Sequence, residues 1–186
     1  MTCIIGLVHE GKVYMGGDSA GSDGFTISTY KAPKVWKCGE FVIGVSGRYV
    51  PMQLLRESFT PPPFKEGQSV DQYMITEFLP AYRKLIQEWG YGKSRPKDEH
   101  SGEETNTGVL VGIRGRLFHI EAEFQTLERC ADYDADGSGM YHAMGSMFST
   151  AHLPPKERIE QALTAAEHFV CTVRSPFTII ETEGKE

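Results

Sequence analysis

Three things are scarce in this 186-residue chain: long apolar runs, paired cysteines and positive charge. No stretch approaches the ~20 apolar residues that a membrane-spanning helix needs. Residues 1–12 lack the basic flank and long apolar core of a secretory signal. A cytoplasmic setting with no membrane role is therefore expected. The four cysteines, Cys3, Cys38, Cys130 and Cys171, form no C-x-x-C pair, which argues against a zinc site. In a reducing compartment they are expected as thiols, mostly buried as small apolar residues. Lys and Arg together number 19 against 25 Asp and Glu, a formal charge of −6, which argues against nucleic acid as a partner. What is present is ordinary for a soluble globular protein, 40% apolar and 24% charged. The length suits one domain with a sizeable core, taken here as spanning 1–186, with no internal repeat and no linker.

Cys3–Val8 and Lys12–Asp18 are apolar runs around His9-Glu10-Gly11 and predict a β-hairpin buried on both faces. Ser19–Gly24 reads as a loop and Thr26–Tyr30 as a short strand. Lys34–Cys38 and Phe41–Ser46 flank Gly39-Glu40 as a second hairpin, ended by Gly47. Val50–Phe59 predicts a helix stopped by Pro61-Pro62-Pro63. A second, capped by Ser69 or Asp71, carries apolar residues from Val70 to Trp89 at helical spacing, with a kink expected at Pro80. Gly90–Asn106 is polar and reads as an exposed, mobile loop. Thr107–Ile113, Arg116–Glu121 and Thr126–Cys130 predict a three-strand meander. Helices follow at Gly139–Thr150 and Pro155–Val170, and Phe177–Glu181 closes as a strand. Strand groups alternating with helix pairs predict two antiparallel sheets with helices outside them.

The chemistry gathers at the start of the chain. A Thr hydroxyl is a weak nucleophile until a base takes its proton. An N-terminal Thr carries its own base, an α-amine with an ordinary pKa of about 7.7–8.0. Thr2 stands directly behind Met1, Asp18 ends the second apolar run, and Lys34 opens the hairpin after it. A Lys ammonium near Thr2 would favour loss of the hydroxyl proton and lower the amine pKa, and Asp18 can partner a buried Lys34. Gly47, with no side chain, can bring a backbone N–H close to a developing oxyanion.

These residues resemble the proteasome β-type N-terminal-nucleophile hydrolases, and among them the bacterial HslV-like peptidases. The matching features are Thr2 behind Met1, Gly16-Gly17-Asp18, Lys34-Val35, Ile43–Gly47, Gly137-Ser138-Gly139 followed by Ala143, and Val170–Glu181. The resemblance spans nearly the whole chain and implies an α+β, four-layer αββα sandwich of two antiparallel sheets. It implies that Thr2, freed of Met1, is nucleophile and base. Asp18 and Lys34 tune it, Gly47 supplies the oxyanion N–H, and Ser138 sits beside the amine. It further implies a homo-oligomeric ring cutting polypeptides in an internal chamber, with an ATPase unfoldase as a partner in some members. No cofactor is required for the chemistry. A structural monovalent cation would lie near main-chain carbonyls around His168, Cys171 and Arg174. The Pro-rich break and the 90–106 segment depart from the family pattern. So does the absence of its Asp and Ser near the last strand. These departures place the chain in a divergent bacterial or viral branch.

Each residue also has a plainer reading. Thr2 is a small residue after Met, Asp18 a turn residue and Lys34 a solvated charge; only their agreement with the later segments favours catalysis. Asp132, Asp134, Asp136 and Gly137 spell the start of a calcium loop, but Ala143 stands where the loop needs Glu, so a solvated acidic turn is expected. His119 reads as structural, Cys3 as core, and Trp36 and Trp89 as packing residues. Ala20, Gly21 and Val45–Gly47 are expected along a substrate cleft. Two alternatives stand beside the peptidase: a catalytically inactive ring-forming homologue, and an amidohydrolase acting on a small amide.

Overall fold

The computed structural model describes residues 2–91, 93–94 and 103–183; Met1, His100 and much of the 90–106 segment lie outside the described residues. The chain opens with β1 (Ile4–His9) and β2 (Lys12–Gly17). Between them Glu10 and Gly11 both take positive φ, the two-residue turn whose twist suits a hairpin. A small hairpin follows, β3 (Ala20–Ser22) on β4 (Ile27–Thr29), so part of the expected 19–24 loop is strand. Next come β5 (Val35–Cys38), β6 (Phe41–Gly47) and helix α1 (Tyr49–Glu57).

The long second helix is built in three parts: α2 (Val70–Tyr73), a π-turn at Met74–Phe78, and α3 (Leu79–Glu88). Ser69 caps it through its side chain, which accepts from the Gln72 N–H at 3.2 Å. The distortion expected at Pro80 falls in the turn before it. The proline ring crowds the carbonyl four residues earlier, and a wider turn relieves that clash. Trp89 ends up 60% exposed rather than packed, while Trp36 is buried.

Within the segment read as a loop, β7 (Lys93–Ser94) pairs with β8 (Glu103–Glu104). The meander is β9 (Thr107–Ile113), β10 (Arg116–Ile120) and β11 (Thr126–Leu127). The acidic segment that follows is strand β12 (Tyr133–Asp136) rather than a solvated turn, and Asp134 in it is buried. Helices α4 (Met140–Ser149) and α5 (Pro155–Phe169) and strand β13 (Thr178–Glu181) complete the order.

One sheet runs β12-β1-β2-β13 and the other β11-β10-β9-β6-β5, and every pairing in them is antiparallel. Period-two alternation then sorts the side chains into three cores. Ile4, Val13, Met15, Val42 and Leu110 face between the sheets. Their neighbours Cys3, Ile5 and Leu7 face α4 and α5, where Met147, Ile159 and Leu163 cover them. Ile43, Val45 and Val111 face the other helix layer, under Leu55, Phe78, Tyr82 and Ile86. The result is the four-layer αββα sandwich, and it explains why strands with both faces covered read as continuous apolar runs. Val45 therefore belongs to a core, not to a cleft. Of the cysteines only Cys3 is fully buried; Cys130 and Cys171 are exposed, against the expectation of mostly buried thiols. Among the described residues, no helix is long and apolar enough to cross a membrane.

Candidate active site

The edge where β1 begins and β2 ends brings four of the predicted residues together. Thr2, Asp18 and Lys34 are 2–3% exposed. Antiparallel pairing sets Ile4 opposite Gly17, so the chain before Ile4 runs beside the chain after Gly17. Asp18 is the hub. Its Oδ1 accepts from the Cys3 N–H at 2.9 Å and from Lys34 Nζ at 2.7 Å. Its Oδ2 accepts from the Ala20 N–H at 2.9 Å and from the Arg174 N–H at 3.3 Å. An ionised carboxylate has about four lone-pair positions, and all are used. One side chain thus fastens the start of β1, the β2–β3 junction, the start of β5 and the segment after α5.

Lys34 directly precedes β5 and reaches Asp18 across the edge of the sheets. Burial pulls its pKa below the ordinary ammonium value, against the opposing pull of Asp18. Cys3, directly after Thr2, is pushed the other way: burial first and the Asp18 charge second raise its thiol pKa far above the ordinary value, so it is an inert neutral neighbour.

Ser138 closes the site from the other side. The Thr2 N–H donates to Ser138 Oγ at 3.1 Å, and Ser138 Oγ lies 3.3 Å from the Thr2 carbonyl oxygen. The Gly139 N–H donates to that same carbonyl at 3.1 Å. Gly137 makes the approach feasible: its φ is +95°, and a Cβ there would stand 2.3 Å from Thr2 O. Thr172 lies behind Ser138, with their hydroxyl oxygens 2.9 Å apart. In the sequence Thr172 is marked only as a hydroxyl residue just after the last helix.

Gly47 reaches the site by pairing. The Val45 N–H donates to Lys34 O at 2.9 Å, which sets the end of β6 beside Lys34. Its φ is +94° and a Cβ would stand 2.3 Å from Asn106 O, so the position demands glycine. Nearby, Gly21 is hemmed in by Tyr30 and Tyr49, and Tyr49 OH donates to Ala20 O at 3.2 Å.

The acidic motif expected as a solvated turn is a strand, in which Asp134 and Asp136 point into the molecule, toward His119 and Ser46. No group of three or more His, Cys, Asp or Glu side chains among the described residues could hold a metal. A cation on carbonyls around His168, Cys171 and Arg174 finds one ligand already engaged. Arg174 O accepts from the Ser19 N–H at 2.9 Å and from Ser19 Oγ at 3.1 Å.

Chemically, the arrangement sets a threonine, a lysine of depressed pKa and an ionisable hub beside two strand ends whose conformations only glycine tolerates. No family model and no curated protein matches the sequence. Solved structures do match in fold. BPH from Thiobacillus denitrificans, solved in complex with epoxomicin, is 18% identical over the whole of both chains with a TM-score of 0.78. The eukaryotic HslV of Trypanosoma brucei is 17% identical with a TM-score of 0.67, covering 98% of this chain and 99% of that one. Anbu, the ancestral beta-subunit, from Yersinia bercovieri is 16% identical with a TM-score of 0.67, covering 97% of this chain and 81% of its own. The chain therefore has the fold shared by BPH, HslV and Anbu.

Proposed function

We propose that this protein is a peptidase that uses Thr2 as an N-terminal nucleophile. The observation that carries the reading is the hub at Asp18. It holds Lys34 2.7 Å away and binds the N–H of Cys3, which fixes the main chain directly after Thr2. With Met1 removed, the Thr2 nitrogen is an amine beside Ser138. The Thr2 hydroxyl attacks the scissile carbonyl carbon and its proton passes to that amine. The oxyanion is met by the Gly47 N–H. Collapse breaks the C–N bond, the ammonium gives its proton to the leaving amine, and an ester to Thr2 remains. Water, deprotonated by the same amine, attacks the ester and frees the acid and Thr2. Lys34 acts through its positive charge on the hydroxyl, and its depressed pKa makes that charge responsive to the site.

The shared fold with HslV and Anbu supports two wider elements: a homo-oligomeric ring, and polypeptides as substrates. An ATPase unfoldase feeding that ring is a further part of the proposal, taken from the sequence resemblance to HslV-like peptidases.

The test is Thr2→Ala. Peptide hydrolysis should be lost, and epoxomicin, the ligand held by the BPH structure, should no longer add its mass to the chain. Retained hydrolysis in that variant sinks the mechanism. A wild-type chain that keeps Met1 in its native host and takes up no electrophile points to the inactive ring homologue instead. Cleavage of small amides but not of an unfolded protein points to the amidohydrolase.

A further inference from the structure

Besides the Asp18–Lys34 pair, the largely apolar space between the two sheets holds a second buried polar group at one end. There Ser46 on β6, His119 on β10, and Asp134 and Asp136 on β12 are gathered. Asp136 Oδ2 accepts a hydrogen bond from Ser46 Oγ at 2.5 Å, crossing from one sheet to the other. The other Asp136 oxygen lies 3.9 Å from His119 Nε2. The His119 Nδ1–H donates to Asp134 Oδ2 at 3.0 Å. Asp134 Oδ1 takes the Ala135 N–H at 2.8 Å and lies 2.5 Å from Arg129 Nε. Gly108, the strand partner of Ser46, leaves the space: a Cβ there would stand 1.8 Å from Asp136 Oδ2.

A buried polar cluster is an inefficient way to join two sheets. Well-packed apolar residues of similar volume usually serve as well or better. Its place in the chain is more telling. Asp136 immediately precedes Gly137 and Ser138, which hold Thr2. Ser46 immediately precedes Gly47. The Ser46–Asp136 bond is therefore a strut between the two halves of the candidate site, one half on each sheet. We propose that Asp136 and Ser46 are positioning residues that fix Gly47 relative to Thr2, and that His119 couples this strut to its own charge state.

The coupling follows from the groups around the ring. Asp134 and Asp136 on β12 face His119, Glu121 just beyond β10 adds a third negative charge, and Arg129 offsets only Asp134. Burial opposes the imidazolium, but these partners outweigh it and set the His119 pKa above its ordinary 6.5. While His119 is charged, Asp136 is held between it and the Ser46 hydroxyl. Once His119 is neutral, Asp136 is a partly buried anion without a counter-charge, and the strut loosens.

The kinetic arm of the test rests on the reading of Thr2 as nucleophile; the spectroscopic arm does not. In deuterated protein labelled with [15N]glycine and [13C]histidine, the Gly47 amide signal should titrate with the midpoint of the His119 ring. Ser46→Ala should abolish the Gly47 response while His119 still titrates. The same variant should lower kcat about tenfold or more with KM within about twofold, since misplacing a catalytic donor costs the chemical step. Ser46→Thr, which keeps the hydroxyl, should restore both. A Gly47 signal that ignores His119, or that follows it unchanged in Ser46→Ala, overturns the proposal. Should Ser46→Ala not fold, Asp136→Asn keeps the shape and the acceptor for Ser46. The His119 midpoint should then fall and the Gly47 midpoint with it; a Gly47 midpoint that stays put overturns the proposal. A chain that shows the coupling yet never cleaves peptides refutes the nucleophile reading alone.

Discussion

Asp18 shows how one side chain can serve both folding and chemistry. Four donors saturate it, and Lys34 is the charged one among them, so replacing Lys34 leaves an unbalanced buried anion. Lys34→Met should cost about 3 kcal/mol of unfolding free energy, the low end for breaking a buried pair because the three backbone donors remain. It should also abolish hydrolysis, and urea unfolding beside a peptide assay separates the two effects. His119 and Asp134 give a pH signature. The His119 pKa is raised on folding, so its contribution is full below the ordinary 6.5 and is lost as pH rises through the folded value. The Asp134 pKa is lowered: burial opposes that shift, and the hydrogen bond to His119 and the charges around it prevail. Its contribution is full above the ordinary 3.8 and is lost as pH falls through the folded value. The melting difference between wild type and His119→Gln should therefore be largest between those ordinary values and shrink toward alkaline pH. A difference that grows toward alkaline pH contradicts the pairing.

At the level of elements, two glycines near α4 should respond in opposite ways. Gly137 stands just before the helix with φ +95° against Thr2 O. Gly137→Ala should cost about 1–3 kcal/mol in strain and displace Thr2. Gly145 is exposed inside α4 with nothing within 4 Å of a Cβ. Gly145→Ala should stabilise by about 0.5–1 kcal/mol, read as a higher midpoint in urea. The same contrast marks what could be read from the chain alone. The hairpins and the α5 stripe follow from periodicity, and Thr2, Asp18 and Lys34 from their places at strand ends. Strand β12 did not, because Tyr133–Asp136 has the composition of a solvated turn. Only its pairing with β1, from Ile4 opposite Asp136 to Leu7 opposite Tyr133, buries it. Without β12 the His119–Asp134–Asp136–Ser46 cluster has no sequence signature, since its members are ordinary single residues on three different strands. The π-turn was equally hidden: Pro80 announces a disturbance but not which turn absorbs it.

The whole molecule leaves several large apolar side chains in solvent, among them Phe25 at 98%, Tyr141 at 78%, Phe148 at 79% and Phe169 at 68%. Single exposed apolar residues are unremarkable, but Tyr141, Phe148 and Phe169 all lie on the layer formed by α4 and α5. In the ring proposed above this layer would be covered by other copies. Native mass spectrometry should give a particle many times the mass of one chain, and Thr2→Ala should leave it unchanged. A monomer at micromolar concentration would remove the ring from the reading. The burial of Thr2 carries one more consequence, for biogenesis. An aminopeptidase must draw several residues of extended chain into its own cleft. In the folded protein Thr2 is 2% exposed, its N–H is bound to Ser138, and the next residue is tied to Asp18. On the proposed mechanism, an aminopeptidase that needs such a stretch is expected to meet the chain before β1 pairs and Asp18 closes on Cys3, so the supply of competent protein would depend on trimming keeping pace with folding.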